Sequence, residues 1–385
     1  MNVIVAKMTR NNKTPLNPFL LAGYLSPEYF CDREQETAKL ASALKNGRNV
    51  TLTSPRRMGK TGLILHLFNR LEQEGIACYY VDLYQTDSLA SLVEQLGNAV
   101  LGTLDSTEKK IVKKVGEFFK SLRPTINIDP QTGEPGFTVN VQPLQAEYSF
   151  QEILNYMEQA DKPCIVAFDE FQTITEYADK KVEALLRSYI QRLNNVHFIF
   201  SGSQRHILIN MFASATRPFY QSTQMMPLGI IDEDQYFQFA NRHLCKNGQS
   251  IDEESFSYLY HVLHGHTWYI QSMLNRIYEY KTASINKETI NKILSEIVEE
   301  NEATYQTFLR LITPAQGKLI RAIARQGEVN EPTGQAFISK YNLGASSTVR
   351  SATKALVEKE MLLEDNGTYQ VYDRYFGIWL RQHSL

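Results

Sequence analysis

The sequence predicts an α/β chain: a parallel sheet sandwiched by helices, then an all-α segment, then three helices closed by a β-hairpin. Three observations carry this expectation. Short apolar runs at 49–53, 78–83, 164–168, 197–201 and 225–230 alternate with helical patterns, the rhythm of parallel strands covered on both faces. From Asp232 to about Asn301 the apolar period is helical throughout. From Thr313 three helical patterns precede two short runs around Asp365-Asn366-Gly367, a hairpin turn.

Composition bounds the function. With 385 residues, 43% of them hydrophobic, the chain suits two or three domains and is not a disordered one. Forty Lys and Arg against 42 Asp and Glu leave a net charge of −2, which excludes a basic nucleic-acid sleeve and an acidic tail. Cys31, Cys78, Cys164 and Cys245 form no CxxC pair, against structural zinc and a disulfide framework. Cys78 and Cys164 lie in apolar runs and read as core. The eight histidines form no HxxxH pair on a metal-binding helix, and His261, His264 and His266 sit at a helix end. Met1–Arg10 lacks the apolar stretch of a secretory signal, and no run approaches the ~18 apolar residues of a membrane span. The expectation is a cytoplasmic protein with no membrane segment.

In chain order, Thr14–Phe30 carries Pro15, Pro18 and Pro27 and reads as an extended strap. A helix over Asp32–Lys45 follows, with Asp32 as N-cap. Further helical patterns cover Gly62–Glu74, Leu89–Leu104, Phe150–Gln159 and Val182–Leu193. Thr125–Asp129 and Phe137–Val141 alternate apolar and polar residues around Pro130-Gln-Thr-Gly-Glu-Pro135, an inserted β-hairpin (about 124–141) that either packs as an edge or projects. Asp232 and Asp252 read as N-caps, and His264-Gly265 as a stop. Helices over Ala315–Gln326, Gly334–Tyr341 and Ser346–Glu358, then strands Met361–Leu363 and Tyr369–Tyr372, make a winged-helix arrangement. The expected domains are a core at 1–230, a helical lid at 231–300 and a winged helix at 301–385.

The strongest chemical signal is Ser54-Pro55-Arg56-Arg57-Met58-Gly59-Lys60-Thr61, between a strand and a helix opening at Gly62. A phosphate chain needs inward-pointing N–H groups, a helix N-terminus, a cation and a hydroxyl for magnesium. Gly59 lets the main chain turn close to the phosphates, Lys60 reaches the β/γ oxygens, and Thr61 holds Mg2+. This is a P-loop, and with it the sheet becomes that of a P-loop NTPase. The usual loop begins with glycine; Ser54 stands there, where the residue mainly closes the turn. A partner signal is a buried strand ending in acid, and Cys164-Ile-Val-Ala-Phe-Asp169-Glu170 is one. Asp169 would face the same crevice and support Mg2+, and Glu170 would polarise an attacking water.

Phe30-Cys-Asp-Arg33-Glu-Gln-Glu36, Arg56-Arg57-Met58-Gly59-Lys60-Thr61, Asp169-Glu170-Phe171 and Phe200-Ser-Gly202-Ser203 resemble the archaeal-type ATPases of the AAA+/STAND P-loop class. With the lid and winged helix, the resemblance covers nearly the whole chain. It implies a core that binds ATP or ADP with Mg2+, and it implies that Phe30 to Arg33 lie near the adenine. It places a polar γ-phosphate sensor at Ser201 or Ser203, preferably Ser203. Arg217, in Thr216-Arg-Pro-Phe, falls in the region that carries an arginine finger in AAA+ rings; the other reading is a surface arginine. The third lid helix begins Thr267-Trp268-Tyr269-Ile270 and lacks the arginine many AAA+ proteins carry there. Gly265-His266-Thr267 instead resembles the glycine-x-proline turn of STAND ATPases, which favours a nucleotide-gated switch over ring-type hydrolysis. Trp268 and Tyr269 read as lid core.

On Ser346–Glu358 the apolar stripe is Val349, Ala352, Ala355 and Leu356, leaving Ser347, Arg350, Ser351 and Lys354 on the outer face. That face suits a major groove, yet 301–385 holds ten Lys and Arg against eight Asp and Glu, a small excess for a DNA-binding module. DNA contact and a protein-facing clamp stay open alternatives. Many relatives continue into a nuclease-like domain, whereas Tyr375–Leu385 is amphipathic with no acidic cluster behind it, so nuclease activity is not expected. Three functions follow as expectations: a slow Mg2+-dependent ATPase switch, an ATP-controlled DNA-binding protein, or an ADP-holding signalling scaffold. A protein partner or a homo-oligomer fits each.

Overall fold

Strand residues alternate their side chains between two faces, and in this protein both faces are dry. The computed structural model describes residues 14–102, 121–128, 135–280, 282–365 and 367–383. The readings on Met1–Arg10, on Thr103 and Leu104, on Asp129 with the hairpin loop, and on Asn366 lie outside them.

Five parallel strands form the main sheet: β1 (Val50–Thr53), β2 (Ala77–Asp82), β5 (Cys164–Asp169), β6 (Val196–Gly202) and β7 (Gln224–Pro227). Their order is β2-β5-β6-β1-β7, so β6 separates the strand before the phosphate loop from the strand that ends in acid. Val166, Phe168, Phe198 and Phe200 face helices α3 (Leu89–Gly102) and α4 (Ala146–Glu158), packing with Leu92, Leu96, Phe150 and Leu154. Ile165, Ala167, Ile199, Val50 and Leu52 face α1 (Glu34–Lys45) and α2 (Lys60–Gln73), against Leu40, Leu44, Leu63 and Leu67. Every residue of β5 is buried, and each large apolar side chain so covered contributes about 1.5–3 kcal/mol. The site is therefore built at the ends of fully buried strands.

Strands β3 (Arg123–Ile128) and β4 (Pro135–Asn140) pair antiparallel. β4 lies on α3, where Asn98 Oδ1 accepts from Val139 N at 2.7 Å and Glu94 Oε1 accepts from Val141 N at 2.8 Å. A Cβ on Gly97 would stand 3.3 Å from the Val139 methyls, so the bare glycine seats that strand. Phe19 of the N-terminal segment is fully buried, edge-on to Phe239 at 6.0 Å.

Several boundaries differ from expectation. Asp32 does not cap α1: Asp32 and Arg33 both take positive φ and the helix starts at Glu34, because the Arg33 guanidinium is drawn into the core. The fifth strand stops at Pro227; Leu228 N still bonds Thr53 O at 2.8 Å, but Gly229 O turns to Arg33 Nη2 at 2.8 Å. α4 begins four residues before Phe150 because Ala146 and Ser149 are also buried.

The chain forms two compact units, Met1–Phe239 with His266–Trp268, and Ala240–Gly265 with Tyr269–Leu385. Helix α5 (Val182–Ile190) and α6 (Arg205–Ala213) complete the first, and α7 (Glu233–Lys246) starts there. Asp232 Oδ1 caps α7 by accepting from Asp234 N and Gln235 N at 3.1 and 3.2 Å.

The second unit holds α8 (Glu253–Val262), most of α9 (Thr267–Tyr280), and α10 (Lys287–Glu300). Asp252 caps α8, accepting from Ser255 N at 2.7 Å. This region is not wholly helical: β8 (Ser250–Ile251) and β9 (Ser284–Ile285) pair in parallel and bury Ile251 and Ile285. A two-residue pair carries too little alternation to stand out in sequence. After α11 (Glu302–Arg310) come α12 (Pro314–Gln326), α13 (Gln335–Tyr341), α14 (Ser346–Glu358), the hairpin β10 (Leu362–Asp365) and β11 (Thr368–Val371), and α15 (Arg374–Gln382). Val329 makes a single antiparallel bridge to Tyr369 beside the hairpin, in a winged-helix arrangement. Thr313 and Gln316 form a capping box on α12. α15 packs beside α9, with Tyr375 Oη donating to Tyr269 O at 3.2 Å. Among the described residues no helix is long and apolar enough to cross a membrane.

Candidate active site

Between β1 and α2 the chain turns through Ser54–Gly59, with positive φ at Arg57 (62°) and Gly59 (93°). Such alternation points successive N–H groups into a concavity that suits anions, and the α2 N-terminus adds its dipole. At 93° only glycine is unstrained.

Lys60 is 6% exposed, and its Nζ donates to Ser54 O (3.2 Å), Ser54 Oγ (3.1 Å) and Pro55 O (3.1 Å). Ser54 is thus more than a stand-in for glycine, because its hydroxyl is a lysine ligand. Burial pushes the Lys60 pKa down, against the pull of Asp169 and Glu170, and Arg56 adds to the lowering. A buried cation held by neutral oxygens is well placed to take phosphate oxygens.

Asp169, 4% exposed, is saturated with donors. Oδ2 accepts from Thr61 Oγ1 and Tyr80 Oη, both at 2.7 Å; Oδ1 accepts from Ser201 Oγ at 2.8 Å and Glu170 N at 3.0 Å. Glu170 sits at φ 53° just past the strand. Its Oε2 accepts from Ser203 Oγ at 2.8 Å, Ser203 N at 3.3 Å and Gln172 Nε2 at 2.5 Å. Because β6 lies between β1 and β5, it delivers Ser201 to one acid and Ser203 to the other. Arg56 Nε also reaches Ser203 Oγ, at 3.2 Å.

Behind the loop, Arg33 is 3% exposed and spans three segments. It donates to Glu36 Oε1 (2.8 Å), Met58 O (3.4 Å), Gly229 O (2.8 Å) and Ile230 O (3.5 Å). These bonds hold the loop against α1 and the segment that follows β7. Phe30 stacks on His66 of α2 at 4.5 Å, and Tyr24 Oη meets His66 Nδ1 at 3.1 Å. A Cβ on Gly62 would come within 3.2 Å of Phe30, so glycine at the first turn of α2 admits that ring. Arg57, exposed on the loop, lies over the Trp268 ring at 4.3 Å; the lid-core reading of Trp268 missed this contact. Arg217 forms a two-point ion pair with Glu183 of α5, Nε to Oε1 at 3.3 Å and Nη2 to Oε2. Its guanidinium is committed within its own chain.

Gln172 and Tyr80 belong to no sequence string that names this chemistry; the short 3-10 helix Phe171–Glu176 turns Gln172 back onto Glu170, and strand adjacency brings Tyr80 to Asp169. Gly202 depends on Gln172: a Cβ there would lie 1.9 Å from Gln172 Oε1 and 2.8 Å from Leu208 Cδ1. Gly202→Ala is expected to push the amide off Glu170 and lower ATP turnover roughly tenfold, about the weight of one charge-assisted hydrogen bond, with nucleotide affinity nearly kept. Parallel binding and turnover assays check this.

Ser347, Arg350, Ser351 and Lys354 are all exposed on α14. Val349, Ala352, Thr353 and Leu356 are buried beneath, Ala355 only partly. Lys354 stands 3.8 Å from Glu358.

The donor set tests whether magnesium fits. Thr61 Oγ1 and Asp169 Oδ2 are hard oxygens in contact beside a loop shaped for phosphate, and Mg2+ uses one or two protein oxygens with substrate phosphates and water. The residues fit the ion. Parallel sheet, P-loop and acid-ended strand define a P-loop NTPase fold. Over residues 30–273 the chain matches the family described as "ATPase domain predominantly from Archaea", and it belongs to that family. Residues 303–382 match the "Probable winged helix domain" family. Among solved structures it is similar to the Walker-type ATPase PABY2304 of Pyrococcus abyssi, at 18% identity and TM-score 0.63, covering 94% of this chain and 99% of that one. It is also similar to the Aeropyrum pernix ORC2 protein, at 15% identity, TM-score 0.58 and 95% coverage of each chain. The A. pernix ORC1 protein, solved in complex with DNA, gives 14% identity and TM-score 0.52, covering 96% of this chain and 97% of that one. Among curated proteins none matches.

Proposed function

We propose that this protein binds ATP with Mg2+ and hydrolyses it slowly to ADP and phosphate as a nucleotide-gated switch, built of a core at 1–230, a lid at 231–300 and a winged helix at 301–385. The observation that carries the reading is the convergence of Lys60, Thr61, Asp169 and Glu170 at the carboxyl ends of β1 and β5. The N–H groups from Arg56 to Thr61 and the Lys60 ammonium bind the phosphates. Thr61 and Asp169 would hold Mg2+, which when bound would neutralise phosphate charge. Glu170 takes a proton from water as its oxygen attacks the γ-phosphorus, and the bond to ADP breaks. Ser203 keeps Glu170 aimed at that position. Arg217 can act as a finger only after leaving Glu183, and this in-chain pair supports slow turnover.

The deciding experiment is nucleotide analysis of the purified protein with its mass in solution, in ADP and in a non-hydrolysable ATP analogue. A nucleotide-dependent change of oligomer favours the switch and a finger role for Arg217. Tightly held ADP with very slow exchange favours the signalling scaffold. Absence of any bound or exchangeable nucleotide overturns the reading.

The exposed row Ser347, Arg350, Ser351 and Lys354 on a winged helix supports a second reading, DNA binding under ATP control. Affinity for duplex DNA should then fall steeply with salt, and Arg350→Ala should weaken it by roughly one phosphate contact's worth of salt slope. No binding at low salt, with or without ATP, removes this reading.

A further inference from the structure

We infer that Tyr80 is a positioning residue of the nucleotide site, holding Asp169 in place for the magnesium–nucleotide complex. The inference rests on the ATPase reading above and adds a residue that neither sequence signal contains. Asp169 receives four hydrogen bonds, about the full acceptor capacity of a carboxylate. Three come from elements already joined to the site: Thr61 in the P-loop, Ser201 on β6, and the neighbouring Glu170 N–H. The fourth comes from Tyr80 on the outer strand β2.

Register explains how it arrives. Tyr80 pairs with Ala167, and Asp82 with Asp169. Residues two apart share a face, so the tyrosine starts two positions behind the acid and its ring length brings the hydroxyl forward to Oδ2, at 2.7 Å. A shorter side chain at 80 could not reach. Tyr80 shares Oδ2 with Thr61, whose oxygen is also the candidate metal ligand. Thr61 therefore has two duties, whereas Tyr80 has one: fixing the carboxylate while Thr61 serves the metal.

The test uses the full chain with Tyr80→Phe, which keeps ring volume and removes only the hydroxyl. A fluorescent ADP analogue is titrated with EDTA, then with increasing Mg2+, so that the readout is affinity rather than turnover. Affinity in EDTA should match wild type and the apo melting temperature should fall only by the worth of the one hydrogen bond lost, while the Mg2+ needed for half the affinity gain rises about fivefold, the scale of one hydrogen bond. Unchanged Mg2+ demand in Tyr80→Phe, with Asp169→Asn losing the Mg2+ effect, overturns the role of Tyr80 and leaves the nucleotide reading standing. Equal weakening with and without Mg2+ makes Tyr80 a packing residue and also overturns it. No Mg2+ effect in wild type overturns both.

Discussion

Lys60→Ala is expected to weaken nucleotide binding by two to three orders of magnitude while the protein stays folded. The ammonium is buried, and its partners are two main-chain carbonyls and a serine hydroxyl. With phosphate bound the ammonium becomes one member of a buried, hydrogen-bonded charge pair, whose loss costs about 2–5 kcal/mol, a range that contains two to three orders of magnitude. The fold should survive because burial already disfavours the charge, and removing it relieves desolvation. The sign with pH follows. The folded pKa lies below the usual lysine value of 10.5, so between the two the unfolded chain binds more protons and stability rises with pH. The burden from Lys60 is complete below the folded pKa and gone above the unfolded one. Without nucleotide, Lys60→Ala should lose that alkaline gain and melt no lower than wild type at neutral pH. Nucleotide titration and melting curves across pH measure both. Undiminished affinity would remove Lys60 from the phosphate site.

Glu170→Gln is expected to bind ATP as wild type does and to release phosphate at least a hundredfold more slowly. General-base catalysis supplies about 10²–10⁴ in rate, and an amide cannot accept the proton. Glu170 is held by Ser203 and Gln172, and glutamine fills the same volume, so the change isolates chemistry from shape. Phosphate release at saturating ATP and Mg2+, beside retention of labelled ATP, separates the two effects. Wild-type turnover in this variant would take the base assignment away from Glu170.

These predictions draw on residues that local strings identify. Ser54–Thr61 and Cys164–Glu170 are contiguous, and contiguous sequence specifies strand, turn and helix start within one neighbourhood. The exposed row on α14 was also legible, since helical period places it opposite Val349, Ala352 and Leu356. The capping role of Asp32 failed because Arg33, drawn to Met58 and Gly229, twists the backbone away from a cap. The partner of Arg217 was hidden for the same reason: Glu183 lies 34 residues away.

The sequence by itself determined the class of site, the phosphate loop, the paired acids and the winged helix, because each is written in short-range pattern and backbone geometry. Only the tertiary structure decided that Ser201 serves Asp169 while Ser203 serves Glu170, and that Tyr80 completes the shell of Asp169. The physical reason is strand order. With β6 set between β1 and β5, and β2 beyond β5, residues far apart along the chain become hydrogen-bonded neighbours, and no local pattern encodes which strand lies beside which.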